Sequence, residues 1–430
     1  MALFISDLVD TLDLSAIYSD YDDAVGGQPP YHPALMVKLL CYGYCTGIHS
    51  SRQIERATWE NVPFRVLATD QHPDHDSIAS FRKRHLPALS QLFKQVLTIA
   101  MKAGLADLEH VSIDGTKVSA NASRMKTYSA VSLVEREKHL QKIVDETLAE
   151  ALRVDQEEDK KYGDRSSLEL EGALSRHQTR LQRIIELKKA MEEEQAQIDE
   201  AKKAEQLKKE KAENDDSCGG NKRKQGRPPR PKSSTEDDDE QPPSLRRNLT
   251  DYDSRIMRLP GSNWGQSYNA QAVVDSKHQI IVASHVTNAG NDSGQLVPML
   301  TLTKKLAGRA PKYVTADSGY SNKEHLRSKL LRESDLIIPP PRKRLDGIPR
   351  RGVHLFPPTE LMKQKLQKPE YKALYRMRKM IVEPVFGQIK EARGFRRFAF
   401  RGLSKVQKEW DLVCLTHNML KIYRSGWCPS

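Results

Sequence analysis

Long apolar runs, cysteine pairs and aromatic residues are all scarce in this chain of 430 residues. No stretch approaches the roughly 20 apolar residues of a membrane-spanning helix, so we expect no membrane association. The first ten residues contain early acids and no basic segment, which excludes a typical secretion signal. Cys41 and Cys45 lie one helical turn apart without a second pair at zinc spacing. This favours buried thiols in a reducing cytoplasm over a zinc site.

Basic residues are in excess, with 69 Lys and Arg against 57 Asp and Glu, which gives a net charge of +12. Such a balance suits a polyanionic partner such as DNA and carries no information about fold. The length is typical of two or three domains. A mean hydropathy of −0.65 indicates a soluble chain that is partly non-globular.

Residues 1–105 are predicted to form an all-α domain. Pro33 opens a stretch with apolar residues at three-and-four spacing, and Gly47 marks its end. A second capped helix is expected from residue 50, and residues 77–84 restart a helix with a basic end. The short spacing fits a helix-turn-helix that enters the major groove, with a small bundle bearing a solvated basic face as the alternative. The candidate DNA contacts here are Arg52, Arg82, Lys83 and Arg84.

A long charged segment follows. Residues 125–212 carry two helical apolar stripes separated by turn residues, so we predict an inserted helical hairpin. Residues 213–247 lose all periodicity and pass from a basic run to an acidic run, as in a disordered linker. Its Arg-Pro stretch is similar to an AT-hook that places Arg227 and Arg230 in a narrow minor groove. A plain basic linker is the alternative.

Strand signals lie on both sides of this insert, in residues 106–124 and 248–424, and residues 425–430 form a tail. Apolar runs end at Asp114 and Asp317, and a second short strand is expected after the Asp114–Gly115 step. Amphipathic helices are expected from Asp292 and over residues 322–332. The order of these elements predicts an α/β fold with a mixed sheet flanked by helices.

Three acidic residues stand in settings that suit chemistry. Asp114 and Asp317 each end an apolar strand, and Glu383 opens a helical stretch. Open α/β sheets place ligands at strand ends, so the aspartates converge if their strands are neighbours. Clustered carboxylates repel one another unless Mg²⁺ or Mn²⁺ compensates, and two such ions can drive phosphodiester cleavage. For either aspartate alone, an ordinary turn is the simpler explanation.

A basic surface is predicted around the glutamate. Lys390 lies two helical turns after Glu383 and projects to the same face, where it can bind a phosphate oxygen. Aromatic residues alternate with basic ones over residues 375–400, which is typical of a surface that tracks a nucleic-acid strand. The alternative is a core-facing aromatic set beside a solvated basic face. The candidate DNA contacts here are Lys390, Lys379, Arg376, Arg378, Arg393 and Arg396.

These motifs resemble those of the bacterial insertion-sequence transposases of the DDE class, which have an RNase H-like core. The resemblance covers roughly residues 25–125 and 248–424. The principal shared motifs are Ser-Ile-Asp-Gly-Thr-Lys (112–117), Tyr-Asn-Ala-Gln (268–271), Thr-Ala-Asp-Ser-Gly-Tyr (315–320) and Val-Glu-Pro-Val-Phe-Gly (382–387) with Lys390. One departure concerns the helix that carries Glu383. Arg376 and Lys379 stand where the family often has Tyr and Arg, and Tyr375 and Arg378 lie one residue earlier.

The resemblance implies that Asp114, Asp317 and Glu383 form the catalytic, metal-binding triad of an RNase H-like domain, with two Mg²⁺ or Mn²⁺ ions per site. It also implies a transposase that binds the terminal inverted repeats of double-stranded DNA and joins 3′-hydroxyl ends to target DNA. A homodimer in the synaptic complex and a cytoplasmic, nucleoid-associated location would follow. Two alternatives stay open: a DNA-binding regulator with an inactive transposase-derived core, and an RNase H-type nuclease without strand transfer.

Overall fold

The computed structural model describes residues 1–21, 31–159, 168–215, 245–259, 261, 263–321, 333–340 and 357–429. Contacts divide the chain into two compact units, one of Met1–Ala122 with Asp253–Ser430 and one of Ser123–Tyr252. Within the described ranges, no helix is both long and apolar enough to cross a membrane.

The first unit begins with helices that build an apolar core. They are α1 (Ala2–Asp10), α2 (Ser15–Tyr18), α3 (Pro33–Thr46), α4 (Ser51–Glu60), α5 (Val62–Leu67), α6 (His75–Arg84) and α7 (Leu86–Lys102). Proline occupies the first turn of α3, α5 and α7, where its missing N–H has no intrahelical partner to lose. Gly47 ends α3 with φ of 85°, and the Asp74 side chain caps α6 at Ser77 N.

A mixed sheet follows and confirms the predicted fold class. Its strands are β1 (His110–Ser119), β4 (Arg255–Arg258), β5 (Trp264–Asp275), β6 (Ile281–Thr287), β7 (Tyr313–Thr315) and β8 (Asp335–Ile337). Strands β2 (Thr127–Ser129) and β3 (Arg246–Asn248) belong to the second unit and form a separate two-stranded sheet. The order in the mixed sheet is β4-β5-β1-β7-β8, with β6 also paired to β5. Pairs β1–β5, β4–β5 and β5–β6 are antiparallel, whereas β1–β7 and β7–β8 are parallel.

The remaining helices of this unit lie between or after the last strands along the chain. They are α10 (Leu296–Ala307), α11 (Pro357–Gln367), α12 (Pro369–Gly387), which runs into a π-helical turn (Gln388–Ala392), and α13 (Leu403–Arg424). The helix predicted from Asp292 therefore starts four residues later, and the helix predicted over residues 322–332 lies outside the described residues.

The expected break after Asp114 was wrong. Strand β1 runs without interruption past Gly115, and every residue from Val111 to Ser119 has a partner on β5. Because Gly115 lies opposite Gln271 inside this ladder, the Asp-Gly step is part of a central strand and makes no turn. The glycine therefore needs another explanation, which the site provides.

A buried polar cluster joins the N-terminal helices to α13. Glu409 of α13 is 1% exposed and accepts hydrogen bonds from the backbone N–H groups of Ala399 (3.0 Å) and Phe400 (3.1 Å). Arg82 of α6 is also buried and donates to the His49 carbonyl at 2.7 Å and to the Tyr44 hydroxyl at 3.3 Å. The helical region and the sheet consequently share one compact unit.

The second unit consists mainly of two long helices, α8 (Ala130–Asp159) and α9 (Leu168–Asp215), which pack against each other. Their shared apolar seam includes Leu140, Val144, Ile184 and Met191. Lys188, which interrupts the apolar stripe in sequence, forms an ion pair with Glu137 at 2.9 Å.

Most of the predicted linker, including Arg227 and Arg230, lies outside the described residues. Its last residues are ordered in strand β3, because Arg246 and Arg247 pair with Ser129 and Tyr128 of β2.

Glu409→Gln should change how stability depends on pH. Burial raises the pKa of Glu409 to about 7, against the hydrogen bonds from Phe400 and Ala399 and the charge of Arg82. A folded pKa above the unfolded value means that stability is present at low pH and falls as pH rises from about 4.5 to 7. Urea unfolding should show the wild type losing roughly 1–3 kcal/mol relative to the variant between pH 5 and pH 8. If the difference in unfolding free energy between the two proteins were the same at pH 5 and pH 8, this account would be contradicted.

Candidate active site

Asp114 lies on β1, and Asp317 lies two residues beyond the end of the neighbouring parallel strand β7; these two residues are hereafter the aspartate pair. In the β1–β7 ladder Val111 pairs with Val314 and Ser112 with Thr315. Asp114 and Asp317 each follow two residues after this last pair, and the charge of Asp317 acts on the Asp114 carboxylate. The sequence predicted that the two aspartates converge if their strands are neighbours, and β1 and β7 are neighbours in the sheet.

Asp114 is held in place by two donors. Its Oδ1 accepts the backbone N–H of Gly115 at 2.8 Å, and its Oδ2 accepts Arg378 Nη1 at 3.2 Å. Burial raises the pKa of Asp114 to about 6, the Gly115 N–H and Arg378 oppose this rise, and Asp317 and Asp292 add to it. Burial is thus the main reason that the charged form of Asp114 is disfavoured, and the nearby acids add to it. Two hard oxygen ligands in such a partly desolvated position fit a divalent cation.

Asp317 begins a tight turn. Its backbone is extended, and its Oδ1 accepts the N–H of Gly319 at 2.8 Å, which caps the 3-10 turn Ser318–Tyr320. The side chain is half-buried. The hydrogen bond from Gly319 thus orients the Asp317 carboxylate.

Glu383 is a residue of α12, and its side chain is exposed. The inner face of the helix buries Arg378, Ile381, Val382 and Val385. Two contacts bring α12 to β1: Arg378 reaches Asp114, and Lys390 Nζ donates to the Lys117 carbonyl at 2.7 Å. Glu383 lies between these contacts along the chain.

The structure brings the two aspartates together and does not bring the Glu383 side chain into a cluster with them. Across the described residues, no group of three or more His, Cys, Asp or Glu side chains is gathered closely enough to hold a metal ion. Burial of the Cys41, Cys45 and Cys414 thiols raises the pKa of each, as expected for inert cysteines.

Two family models match this chain. Residues 2–84 match the family described as "Transposase domain (DUF772)", and residues 244–419 match the family described as "Transposase DDE domain". The chain belongs to the DDE transposases. Enzymes of this family use divalent metal ions. Comparison with curated proteins and comparison with solved structures both gave no match.

The matched segments include only part of the candidate site. Asp317 and Glu383 lie within the second matched segment, whereas Asp114 lies between the two. The structure closes this gap, because β1 pairs with both β5 and β7 in one sheet. The sheet that carries the candidate site is therefore assembled from residues on both sides of the inserted unit.

Proline inside α12 is accommodated next to Glu383. Pro384 has no N–H and cannot bond to the carbonyl four residues earlier, which belongs to Met380. The Gln279 side chain donates to that carbonyl at 2.9 Å and so replaces the missing bond. The helix stays continuous through Glu383 despite the proline.

Lys390 is half-buried in the π-helical turn of the transposase. Burial lowers its pKa to about 8, with Arg396 and Lys117 adding to the effect and Glu391 opposing it. A partly desolvated ammonium close to β1 is suited to a phosphate contact, which stays a prediction.

The predicted DNA-contacting residues divide by exposure. Arg82, Arg378 and Arg393 are buried and bonded within the protein, Arg393 to the Val413 carbonyl and the Thr416 hydroxyl. These three arginines connect parts of the protein interior, because each is shielded from solvent and donates to groups of the protein. The exposed members are Arg52, Lys83, Arg84, Arg376, Lys379 and Arg396.

The aromatic residues near Glu383 belong mostly to the core. Phe386, Phe395 and Phe398 are buried, and the last two pack on each other with ring centroids 5.5 Å apart. The alternative of a core-facing aromatic set therefore describes this part of the transposase better than a stacking surface. The shifted Arg378 reaches Asp114, with its guanidinium 6.0 Å from the Tyr375 ring centroid.

Sequence reasoning missed a polar group beside the aspartate pair. Asn269 and Gln271 are fully buried in β5, and the amide nitrogen of each donates to Asp292 Oδ1 at 2.7 Å. Lys117 Nζ lies 3.7 Å from the same oxygen. The available signal was the pair of amides two residues apart in a predicted strand, since that spacing puts them on one face.

Divalent cations should stabilise the wild-type transposase and not its aspartate variants. A ligand that binds only the folded state adds about 2.7 kcal/mol at one hundred times its dissociation constant. Thermal unfolding with increasing Mn²⁺ should show a rising midpoint for the wild type and most of that rise lost in Asp114→Asn and Asp317→Asn. The exposed Asp76→Asn serves as control. Equal shifts in all four proteins would show that Mn²⁺ binds elsewhere.

Proposed function

We propose that this transposase binds the ends of its own insertion sequence, cleaves DNA phosphodiesters there and joins the resulting 3′-hydroxyls to target DNA. The observation that carries the proposal is the aspartate pair, two carboxylates brought together by the parallel pairing of β1 with β7 and partly desolvated by burial. The family supports cleavage and joining as the type of reaction.

The aspartate pair and Glu383 would hold two Mg²⁺ or Mn²⁺ ions. Such ions activate the attacking oxygen and stabilise the leaving oxygen. Glu383 has no hydrogen bond or ion pair to the described residues, so its carboxylate can turn inward at little cost. Arg378 and Lys390 anchor the helix on both sides of it, which limits the movement to the side chain.

DNA would contact the exposed basic residues and not the buried ones. Arg376 and Lys379 extend from α12 beside the site, and Arg52, Lys83 and Arg84 extend from α4 and α6. Each phosphate contact contributes affinity that depends on salt and little on sequence. Because two element ends must be processed together, we also propose that two copies of the chain act on DNA as a homodimer.

Glu383→Gln should abolish chemistry without loss of stability. The side chain is exposed, so its free energy of unfolding should change by less than about 0.5 kcal/mol. Cleavage of DNA carrying the inverted repeats that flank this gene, and joining of a pre-cut end, should each fall by at least ~100-fold in Mg²⁺ or Mn²⁺.

Glu370→Gln, an exposed glutamate in the first turn of the same helix, is the matched control and should keep wild-type rates. Full activity of Glu383→Gln would remove this residue from the site. A wild-type protein that binds but never cuts would favour the regulator, and one that cuts but never joins would favour the nuclease.

Lys83→Ala and Arg82→Ala should have opposite effects although the residues are adjacent. Lys83 is exposed, so its loss should lower DNA affinity, reduce the salt slope by about one, and leave the thermal midpoint unchanged. Arg82 is buried, so its loss leaves interior acceptors unpaired and should cost about 1–3 kcal/mol of stability. Filter binding over a salt series and thermal unfolding measure both. Reversed effects would contradict the assignment of α6.

A further inference from the structure

Asp292 is the centre of a hydrogen-bond network outside the predicted triad. It lies in the loop before α10, and its Oδ1 accepts the amide nitrogens of Asn269 and Gln271, both at 2.7 Å. Burial of two amides in a strand is costly unless they are bonded. Asp292 therefore fixes the orientation of both side chains.

The network continues from Gln271 to the turn that carries Asp317. The hydroxyl of Tyr320 donates to Gln271 Oε1, and Tyr320 is fully buried. Tyr320 is the last residue of the 3-10 turn that Asp317 caps. Hydrogen bonds thus connect Asp292 through Gln271 to the Tyr320 side chain, and the Tyr320 backbone N–H donates to the Asp317 carbonyl at 3.3 Å.

Gly115 leaves the space that this network requires. A Cβ atom at this position would lie 2.1 Å from Gln271 Nε2, 2.8 Å from Asp292 Oδ1 and 2.9 Å from Asn269 Oδ1. Any side chain next to Asp114 would force these groups apart. This close approach explains the glycine after Asp114. The sequence alone had suggested that the Asp114–Gly115 step was a turn.

Asn269 shows that the network is organised around Asp292. The side-chain oxygen of this buried residue has no hydrogen-bond partner among the described residues, whereas its nitrogen is bonded to Asp292 and lies 3.3 Å from the Ala289 carbonyl. Leaving a buried oxygen unpaired costs about 1–3 kcal/mol. The orientation is therefore set by the acceptors at the nitrogen, and chiefly by Asp292.

We propose that Asp292 is a positioning residue for the reaction: through Gln271 and Tyr320 it holds the Asp317 turn in line with Asp114. The inference rests on the proposed function, in which the aspartate pair holds the cations. The hydrogen bonds to Oδ1 carry the effect, so an oxygen acceptor is what position 292 must supply. A direct metal ligand would instead need the carboxylate charge.

Three variants separate these roles. Asp292→Ala removes the acceptor, Tyr320→Phe breaks the next bond in the chain, and Asp292→Asn keeps an oxygen that accepts from both amides. We expect Asp292→Ala and Tyr320→Phe each to weaken Mn²⁺ binding, titrated by thermal shift without DNA, and DNA cleavage by ~10-fold or more. Asp292→Asn should stay within about threefold of wild type on both measurements.

Hydrogen–deuterium exchange at residues 317–321, measured without metal or DNA, is a readout that does not depend on activity. Exchange should be faster in Asp292→Ala and Tyr320→Phe than in the wild type, and unchanged in Asp292→Asn. The double variant Asp292→Ala, Tyr320→Phe should be no worse than either single one, because both break the same chain. Asn291→Ala, an exposed neighbour, is the control.

The proposal is overturned if Asp292→Asn loses as much as Asp292→Ala, if the two losses add in the double variant, or if exchange in the turn is unchanged. Failure of the proposed function is distinguishable from these results. In that case the wild type would not cleave, whereas the Mn²⁺ titration and the exchange measurement would still report on the turn.

Discussion

The parallel pairing of β1 with β7 is the constraint on which the site depends. Residues 110–112 pair in order with residues 313–315, and Asp114 and Asp317 each follow two residues after the last of these pairs. A one-residue slip of either strand would turn one carboxylate to the other face of the sheet. The segment between these strands contains an entire inserted unit, yet the ladder alone determines which acids meet.

Placing two acids together in a half-buried position costs free energy, and the surrounding residues offset only part of it. The Gly115 N–H and Arg378 oppose the rise in the pKa of Asp114, while burial and the nearby acids maintain it. Arg378 comes from α12, the helix that also carries Glu383. The same helix therefore supplies a positive charge at the aspartate pair and carries the exposed Glu383. A divalent cation would offset the cost of holding the aspartates together.

Much of this arrangement could be predicted from the sequence. Apolar runs ending in acids identified Asp114 and Asp317, and their strands proved to be neighbours. Exposure was harder to predict: Arg82 and Lys83 are adjacent basic residues, yet only tertiary packing buries the first. The sequence did not identify Asp292 as a site residue, because its contacts are hydrogen bonds to a strand more than twenty positions earlier.

The central claim is that the aspartate pair holds a divalent cation. Anomalous diffraction from crystals of the full chain soaked in Mn²⁺ tests it most directly. We predict a peak within about 2.0–2.2 Å of carboxylate oxygens of both Asp114 and Asp317. A peak bound to neither aspartate, or no peak between them at saturating Mn²⁺, would contradict the account.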